Sequence, residues 1–183
     1  MLARQDTQGI RGQLVVLDTS PVRTLQDLAG TSVVFANPYG FTGYYVPMDA
    51  LLRAGVKVAP LFAGNQEAAM GQLMSGQVAA AGVNHQVMVD FAQRRTLKYR
   101  VLAESELYFD LAVMASPRVS AGDGEKIRQA FVSMTHDPEG LRVLQLAAQS
   151  LGLPGARGFV AADDRAYNNY RNFFKHTQVP VNE

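Results

Sequence analysis

The alternation of strand-type and helix-type segments over residues 31–103 constrains the fold of this chain more than any other feature of its sequence. Four short apolar runs have the length of strands, and they lie at residues 32–36, 56–62, 78–83 and 99–103. The first is typical of a buried strand, and the third consists mostly of small residues. Helix-type patterns separate these runs and begin near Thr42, Asn65 and Asn84. The order β-α-β-α-β-α-β predicts one mainly parallel sheet with helices on its faces.

Outside this region the pattern is more helical. Two further strand-sized apolar runs occupy residues 14–17 and 111–115. Apolar stripes then predict three helices, whose inward residues fall within 127–134, 141–151 and 167–174. The second of these begins at Asp137-Pro138 and is expected to stop at Gly152.

Size and composition exclude several classes of protein. A chain of 183 residues with a formal net charge of +1 suits one domain, or one lobe with part of another, and not a bulk nucleic-acid or anionic-membrane binder. The absence of cysteine excludes disulfide scaffolds, thiolate metal sites and cysteine nucleophiles. No apolar run approaches the ~18 residues of a membrane span, and the first residues lack the apolar segment of a secretory signal.

Motifs of catalysis and of metal binding are absent from the sequence. There is no G-x-S-x-G, H-E-x-x-H, G-x-x-x-x-G-K-[ST] or G-x-G-x-x-G segment, and His85, His136 and His176 are far apart. Carboxylates cluster at the starts of predicted helices, where the helix dipole favours them without any catalytic role. We therefore predict a protein that is not an enzyme, with no catalytic residue, no metal site and no cofactor.

Three ends of predicted strands lead into polar helix openings. Residues 37–45 follow the first strand, and Gly40 and Gly43 precede a helix there, so unpaired backbone N–H groups at the positive helix end would suit an anion or polar ligand. Ligands of open α/β sheets bind beyond the carboxyl ends of strands, which predicts one cleft for all three openings. The predicted ligand-binding residues are Asn37, Tyr39, Gly40, Phe41, Thr42, Gly43, Tyr44, Gln66, Asn84 and His85. In the alternative interpretation, Thr42, Asn65 and Asn84 only cap helices and the glycines only form turns.

The sequence resembles a known family over nearly its whole length and in the family's order. DTSPVRTLQDLAG at residues 18–30 resembles the D-S-P-I-x-S-L-x-D-L-x-G-K-x-V segment of phosphate/phosphonate-type solute-binding proteins of ABC transporters. The similarity continues through Asn37-Pro38, Thr42-Gly43-Tyr44 and Pro47. It extends to FAGNQEAA at 62–69, GQVAAAGVN at 76–84, DPEG at 137–140 and GFVAADD at 158–164.

This resemblance implies an α/β fold of the type 2 periplasmic-binding-protein class, with two lobes, crossing strands between them, and a ligand held between the lobes. We expect one complete three-layer α/β lobe plus the C-terminal helical part of the second lobe. Residues 1–30 would form a crossing strand and a partial first lobe, 31–103 the complete ligand-binding lobe, and 104–183 the return crossing and the C-terminal helices of the first lobe. Since Met1 aligns with the middle of the family pattern, we expect a fragment, a truncated product or a domain of something longer.

The ligand motif departs from the family pattern in two places. Relatives carry Ser-Thr-Ser-Gly at the first helix opening, where this chain has Gly40-Phe41-Thr42-Gly43, and Gln66 stands where a histidine is common. The backbone donors remain, so an anion is still expected. Four aromatic residues around the opening would suit a flatter or partly apolar ligand, or an aminoalkyl group held by a cation–π contact, unless they are core residues of the helix. They are Tyr39, Phe41, Tyr44 and Tyr45.

The function implied by the resemblance is that of a periplasmic solute-binding component, which captures a small polar or anionic ligand and works with an ABC transporter permease or a fused signalling domain. The alternative is a periplasmic sensor or a truncated remnant that acts through protein interaction. We also expect self-association, because the second-lobe sheet would hold only the strands at 14–17 and 111–115. The helices between Glu125 and Leu151 would then leave an apolar stripe or a sheet edge uncovered.

Overall fold

A computed structural model of the chain describes residues 1–7, 9–150 and 155–181, which form two units. The smaller unit comprises the described residues within Met1–Gly9 and Tyr108–Asn172, and the larger unit comprises Ile10–Leu107 together with residues 173–181. The predicted boundaries at residues 30 and 103 do not coincide with these divisions. Within the described ranges, no helix combines the length and the apolar character that a membrane span requires.

The described residues contain eight strands and six α-helices. The strands are β1 (Ala3–Gln5), β2 (Gly12–Leu17), β3 (Ser32–Phe35), β4 (Ala59–Phe62), β5 (Ala80–Asn84), β6 (Tyr99–Glu104), β7 (Ala112–Val113) and β8 (Phe159–Ala161). The helices are α1 (Val46–Arg53), α2 (Gln66–Met74), α3 (His85–Arg95), α4 (Ala121–Ser133), α5 (Pro138–Ser150) and α6 (Asn168–His176). Short 3₁₀ turns lie at Gln26–Leu28 and Asp164–Tyr167, and a π-helical turn lies at Phe41–Tyr45.

The larger unit contains a five-stranded sheet in the order β4-β3-β5-β2-β6. β3 is parallel to β4 and β5, whereas β2 is antiparallel to both of its neighbours, so all four strands predicted for this sheet run in one direction. The prediction of one mainly parallel sheet is confirmed. The assignment of residues 14–17 to the sheet of the other lobe was wrong, because β2 lies between β5 and β6.

Side chains of this sheet alternate between two apolar clusters, one on each face. In β2, Leu14 and Val16 enter one cluster and Val15 the other. α2 and α3 cover the face of Val15, whereas α1 and the segment around Leu28 cover the opposite face. A strand that is buried on both faces takes a central position in a sheet, which explains the place of β2. The result is the three-layer α/β arrangement predicted for this part of the chain.

The smaller unit is built around a three-stranded antiparallel sheet in the order β7-β1-β8. The predicted run at 111–115 shortens to β7, while β1 and β8 were not predicted, because three residues are too few to show a period of two. On α4, Phe131 packs edge-to-face on Phe159 of β8, with 4.8 Å between ring centroids.

Most predicted helix starts are confirmed by their capping hydrogen bonds. Asn65 Oδ1 accepts from Ala68 N at 2.8 Å before α2, and Asp137 Oδ2 accepts from Gly140 N at 2.6 Å in the first turn of α5. Asn84 caps α3 through bonds to Gln86 N and Val87 N. Leu151 and Gly152, predicted as the end of the α5 pattern, lie outside the described residues.

Candidate functional site

The turn that follows β3 is wider than an α-helical turn. Tyr44 N and Tyr45 N both donate to the Gly40 carbonyl, at 2.8 and 3.0 Å, in a π-helical turn where the sequence predicted the start of an α-helix. Pro47 has no N–H to donate to the Gly43 carbonyl four residues earlier, which favours an irregular turn. Thr42 and Gly43 are buried, and among the described residues no hydrogen-bond acceptor faces their backbone N–H groups. Such N–H groups are available to a ligand.

Two glycines of the sheet allow this turn to approach closely. A Cβ on Gly82 of β5 would lie 2.9 Å from the Gly43 carbonyl oxygen and 2.5 Å from the Phe35 ring. A Cβ on Gly12 of β2 would lie 2.8 Å from the Thr42 carbonyl oxygen. Because all three distances are too short for a real side chain, the two glycines allow the turn to lie this close to the strands.

The structure brings residues from all three predicted openings together. Asn84 Nδ2 donates to Thr42 Oγ1 at 3.4 Å, and Asn84 N donates to Gln66 Oε1 at 2.8 Å. Gln66 Nε2 lies 3.8 Å from the position that a Cβ on Gly43 would take. Thr42, Gly43, Gln66 and Asn84 are called the donor cluster below.

The groups that the donor cluster leaves available are hydrogen-bond donors. Thr42 Oγ1 accepts from Asn84, so its own hydroxyl proton can be donated, and Gln66 uses its oxygen for Asn84 and keeps its NH₂ group. The backbone N–H groups of Thr42 and Gly43 add two further donors. Asn84 Oδ1 is occupied by capping α3, as the alternative interpretation held for this residue. This arrangement suits the oxygen atoms of an anionic or strongly polar ligand.

The aromatic residues around the opening mostly contact other aromatic residues of the larger unit. Phe41 packs on Phe173 and Phe174, with ring centroids 5.1 and 5.6 Å apart. Tyr44 packs edge-to-face on Phe35 and on Phe62, at 5.1 and 5.2 Å. Burial raises the pKa of the Tyr44 hydroxyl, and the neighbouring Tyr45 adds to the effect. These contacts give Phe41 and Tyr44 packing roles.

Three other predicted residues lie in the bend before the π-helical turn. Asn37 Oδ1 accepts from Tyr39 N at 2.9 Å, and the Gly40 carbonyl receives the two bonds that close the turn. The Tyr39 side chain is 76% exposed. Within the described part of the chain, neither Asn37 nor Tyr39 has a hydrogen bond to the donor cluster.

The tenth predicted residue, His85, contacts side chains that the sequence analysis missed. Its Nδ1 lies 2.9 Å from Nε2 of Gln13, and the same nitrogen of Gln13 donates to Glu104 Oε2 at 2.5 Å. Arg11 Nη1 lies 3.5 Å from Glu104 Oε1. The sequence signal for these contacts was Gln13, a polar residue next to the apolar run of β2. Its position relative to His85 could not be predicted, because it depends on which strands β2 pairs with.

Two cavities of the described residues lie away from the donor cluster. One groove lies at the end of α3 and the start of β6, lined by Val89, Ala92, Leu97 and Tyr99. A second, apolar cavity lies in the smaller unit between α4 and α5, lined by Phe131, Met134, Leu144 and Ala148. In the described ranges, no three His, Asp or Glu side chains come together as metal ligands would.

Comparison with known proteins identifies one matching family. Residues 1–167 match the family described as the phosphonate periplasmic substrate-binding protein of ABC transporters. The match covers most of the chain and includes both units. No curated protein matches the sequence.

Solved structures with similar folds come from several bacteria. XAC2383 from Xanthomonas citri bound to ATP has a TM-score of 0.73 at 16% identity, over 94% of this chain and 68% of that one. PhnD1 from Prochlorococcus marinus in complex with methylphosphonate has a TM-score of 0.67 at 17% identity, over 95% and 69%. The aliphatic sulphonate binding protein SsuA from Escherichia coli has a TM-score of 0.61 at 16% identity, over 95% and 62%. The chain therefore spans about two thirds of the length of these structures, and at such identities the similarity shows the fold alone.

Proposed function

This chain belongs to the phosphonate periplasmic substrate-binding protein family of ABC transporters, and from that membership we propose that it binds a small oxyanion-bearing solute without converting it. The ligand lies at the donor cluster, within the larger unit. The protein works in the periplasm and passes its solute to the permease of an ABC transporter.

One observation carries this proposal, the convergence of donors on a single point of the sheet edge. The Thr42 hydroxyl and the N–H groups of Thr42 and Gly43 follow β3, the Gln66 amide follows β4, and all four have protons to donate. Buried donors without acceptors cost free energy, so a ligand that supplies acceptors stabilises the site. Phosphonates, phosphate and carboxylates all carry such acceptor oxygens.

The relatives with bound ligands support an anionic solute. XAC2383 was solved with ATP and PhnD1 with methylphosphonate, and both ligands carry phosphorus-bound oxygens. Gly40-Phe41 in this chain stands where the family motif has Ser-Thr, so two hydroxyl groups are lost. We therefore expect a lower affinity for a simple phosphonate. The expected affinity for methylphosphonate is therefore micromolar or weaker.

Calorimetry with methylphosphonate, phosphate and acetate tests the proposal, and a single substitution tests the place of the site. Gln66→Glu keeps an oxygen for Asn84 N but replaces the NH₂ donor with a negative charge beside Gly43. We expect this variant to lose at least about 10-fold in affinity for either phosphorus oxyanion, because one donor is lost and a like charge is added.

Gln93→Glu is the matched control, since it makes the same charge change on the exposed face of α3. Its affinity should stay within about 2-fold of the parent, because exposed charges are strongly screened by salt. If no oxyanion binds, or if both variants bind as the parent does, the proposed site is wrong. Nanomolar binding of methylphosphonate would contradict the weakening ascribed to Gly40-Phe41.

A further inference from the structure

A chain of polar side chains at the edge of the five-stranded sheet holds the ring of His85. His85 Nδ1 lies 2.9 Å from Gln13 Nε2, and that nitrogen lies 2.5 Å from Glu104 Oε2. Arg11 Nη1 lies 3.5 Å from the other oxygen of Glu104 and donates to the Ser105 carbonyl at 2.9 Å. His85 directly follows Asn84 of the donor cluster in the sequence.

Glu104 determines which way the Gln13 amide points. An ionised carboxylate only accepts hydrogen bonds, so the amide atom 2.5 Å from it is the nitrogen. The reversed amide would place two oxygen atoms against each other at that distance. Gln13 is only 3% exposed, so its amide has little access to water as an alternative partner.

The oxygen atom of the same amide makes this orientation unfavourable by itself. Gln13 Oε1 is buried and has no hydrogen-bond partner among the described residues. A buried acceptor without a donor is unfavourable by itself. The orientation is therefore maintained by the contacts of the nitrogen with Glu104 and His85.

The amide nitrogen in turn selects the tautomer of His85. A ring nitrogen that faces an N–H donor must present its lone pair, so neutral His85 carries its proton on Nε2. The His85 side chain is 43% exposed, and in the described part of the chain its Nε2 has no hydrogen-bond partner. This N–H group is therefore exposed and available to a ligand.

The charged groups around the ring form an ion pair. Glu104 Oε2 lies 3.8 Å from His85 Nδ1, and Arg11 Nη1 lies 3.5 Å from the other oxygen of the same carboxylate. On α3 itself, Asp90 accepts from Gln86 Nε2 at 2.9 Å. The ring thus faces an ion pair and an amide donor.

We propose that Gln13 is a positioning residue, which holds neutral His85 as an Nε2–H donor next to the donor cluster. The proposal rests on the proposed function only for the oxyanion that would accept this proton, since the tautomer follows from the geometry of the chain itself. It adds a fifth neutral donor to the four of the donor cluster.

Nitrogen-15 NMR of the full chain at about pH 8, where an ordinary histidine is neutral, measures the tautomer directly. In the parent protein His85 should carry its proton on Nε2 alone. Gln13→Glu presents an acceptor to Nδ1, so a proton should appear on that nitrogen, whereas Gln13→Met should leave a mixture of tautomers. His136 and His176 serve as internal references and should not change.

The same variants separate this inference from the proposed function. With methylphosphonate as the probe, His85 Nε2 should shift on binding, and Gln13→Met should bind about 3- to 10-fold more weakly, as expected for one loosened hydrogen bond. Gln93→Met on exposed α3 should bind as the parent does.

Two results overturn the positioning role: a parent protein with the proton on Nδ1, or a Gln13→Glu spectrum identical to that of the parent. If the tautomer depends on Gln13 while no oxyanion binds, the positioning role stands and the proposed function fails. If methylphosphonate binds while the His85 tautomer is the same in the Gln13 variants as in the parent, the proposed function stands and the positioning role fails.

Discussion

At the scale of single residues, the absence of a side chain at Gly82 is as important to the site as the presence of its polar groups. Phe35 is fully buried, and its ring occupies the space that a Cβ on Gly82 would need. On the same side, the Gly43 carbonyl belongs to the turn that carries the backbone donors. Any added atom must therefore move a buried ring, the π-helical turn, or both.

We predict that Gly82→Ala destabilises the protein by about 1–3 kcal/mol, the usual cost of inserting an atom into a packed core. It should also weaken oxyanion binding, because the turn at Gly43 is displaced. Urea denaturation measures the free energy of unfolding, and calorimetry measures the affinity.

Gly71→Ala provides the opposite control. Gly71 lies inside α2, and a Cβ there meets nothing within 4 Å. Alanine is the better helix former by about 0.5–1 kcal/mol, so this variant should be more stable than the parent. Equal effects of the two substitutions would show that the close approach at Gly82 does not constrain the fold.

At the scale of elements, hydrogen bonds from residues 176–178 stabilise the position of α1. Asp49 of α1 is buried and accepts from Thr177 Oγ1 at 2.9 Å and from Gln178 N at 2.7 Å. Arg53 Nη2 donates to the His176 carbonyl at 2.6 Å, and Val179 is buried nearby in the same unit. Since α1 continues directly from the π-helical turn, residues 176–179 support the element that holds the donor cluster.

Asp49→Ala should therefore destabilise the larger unit by about 2–4 kcal/mol, because two hydrogen-bond donors of residues 177–178 lose a charged acceptor. Urea denaturation gives the magnitude, and faster proteolytic loss of the last residues would locate the effect.

Glu67→Ala is its control. Glu67 pairs with Arg94 at 3.0 Å, but both side chains are more than half exposed, and such ion pairs contribute about 0.2–1 kcal/mol. If Asp49→Ala lowers the free energy of unfolding no more than Glu67→Ala does, the C-terminal residues do not stabilise α1.

The sequence predicted those elements whose patterns are long or sharply bounded. The four parallel strands are apolar runs, three of which lead into polar helix openings, and Asn65 and Asn84 mark helix starts through their side-chain chemistry. β1 and β8 have three residues each and carry no periodic signal. The position of β2 was missed because strand order depends on pairing between distant segments, which no local pattern records.

The candidate site also contains residues that the sequence predicted and residues that it did not. Thr42, Gln66 and Asn84 were placed together because the carboxyl ends of parallel strands meet at one edge of a sheet. Gln13 and Glu104 were missed because β2 runs in the opposite direction, so its first residues meet the last residues of β5 and β6. The role of the aromatic residues also depended on tertiary packing, since Phe173 and Phe174 are distant in sequence from Phe41.

At the scale of the whole molecule, the smaller unit presents apolar side chains at a sheet edge. β7 is an edge strand of the three-stranded sheet, and Leu111 and Met114 flank it with exposed fractions of 84% and 72%. The stripe of α5 is partly covered, since Leu144 and Ala148 are buried while Leu141 remains exposed. An edge strand between exposed apolar side chains is a template for pairing with another chain.

We therefore predict that the purified chain self-associates through β7, with two copies pairing edge to edge. Light scattering should give a mass above the 19.9 kDa of one chain, increasing with protein concentration. Met114→Lys places a charge beside the edge strand, and since charged edges oppose pairing, it should shift the mass towards that of the monomer. Met74→Lys, at a half-exposed position at the end of α2 in the larger unit, should leave the mass unchanged. A parent chain that stays at 19.9 kDa at high concentration would refute pairing through β7, and equal effects of the two lysines would place the contact elsewhere.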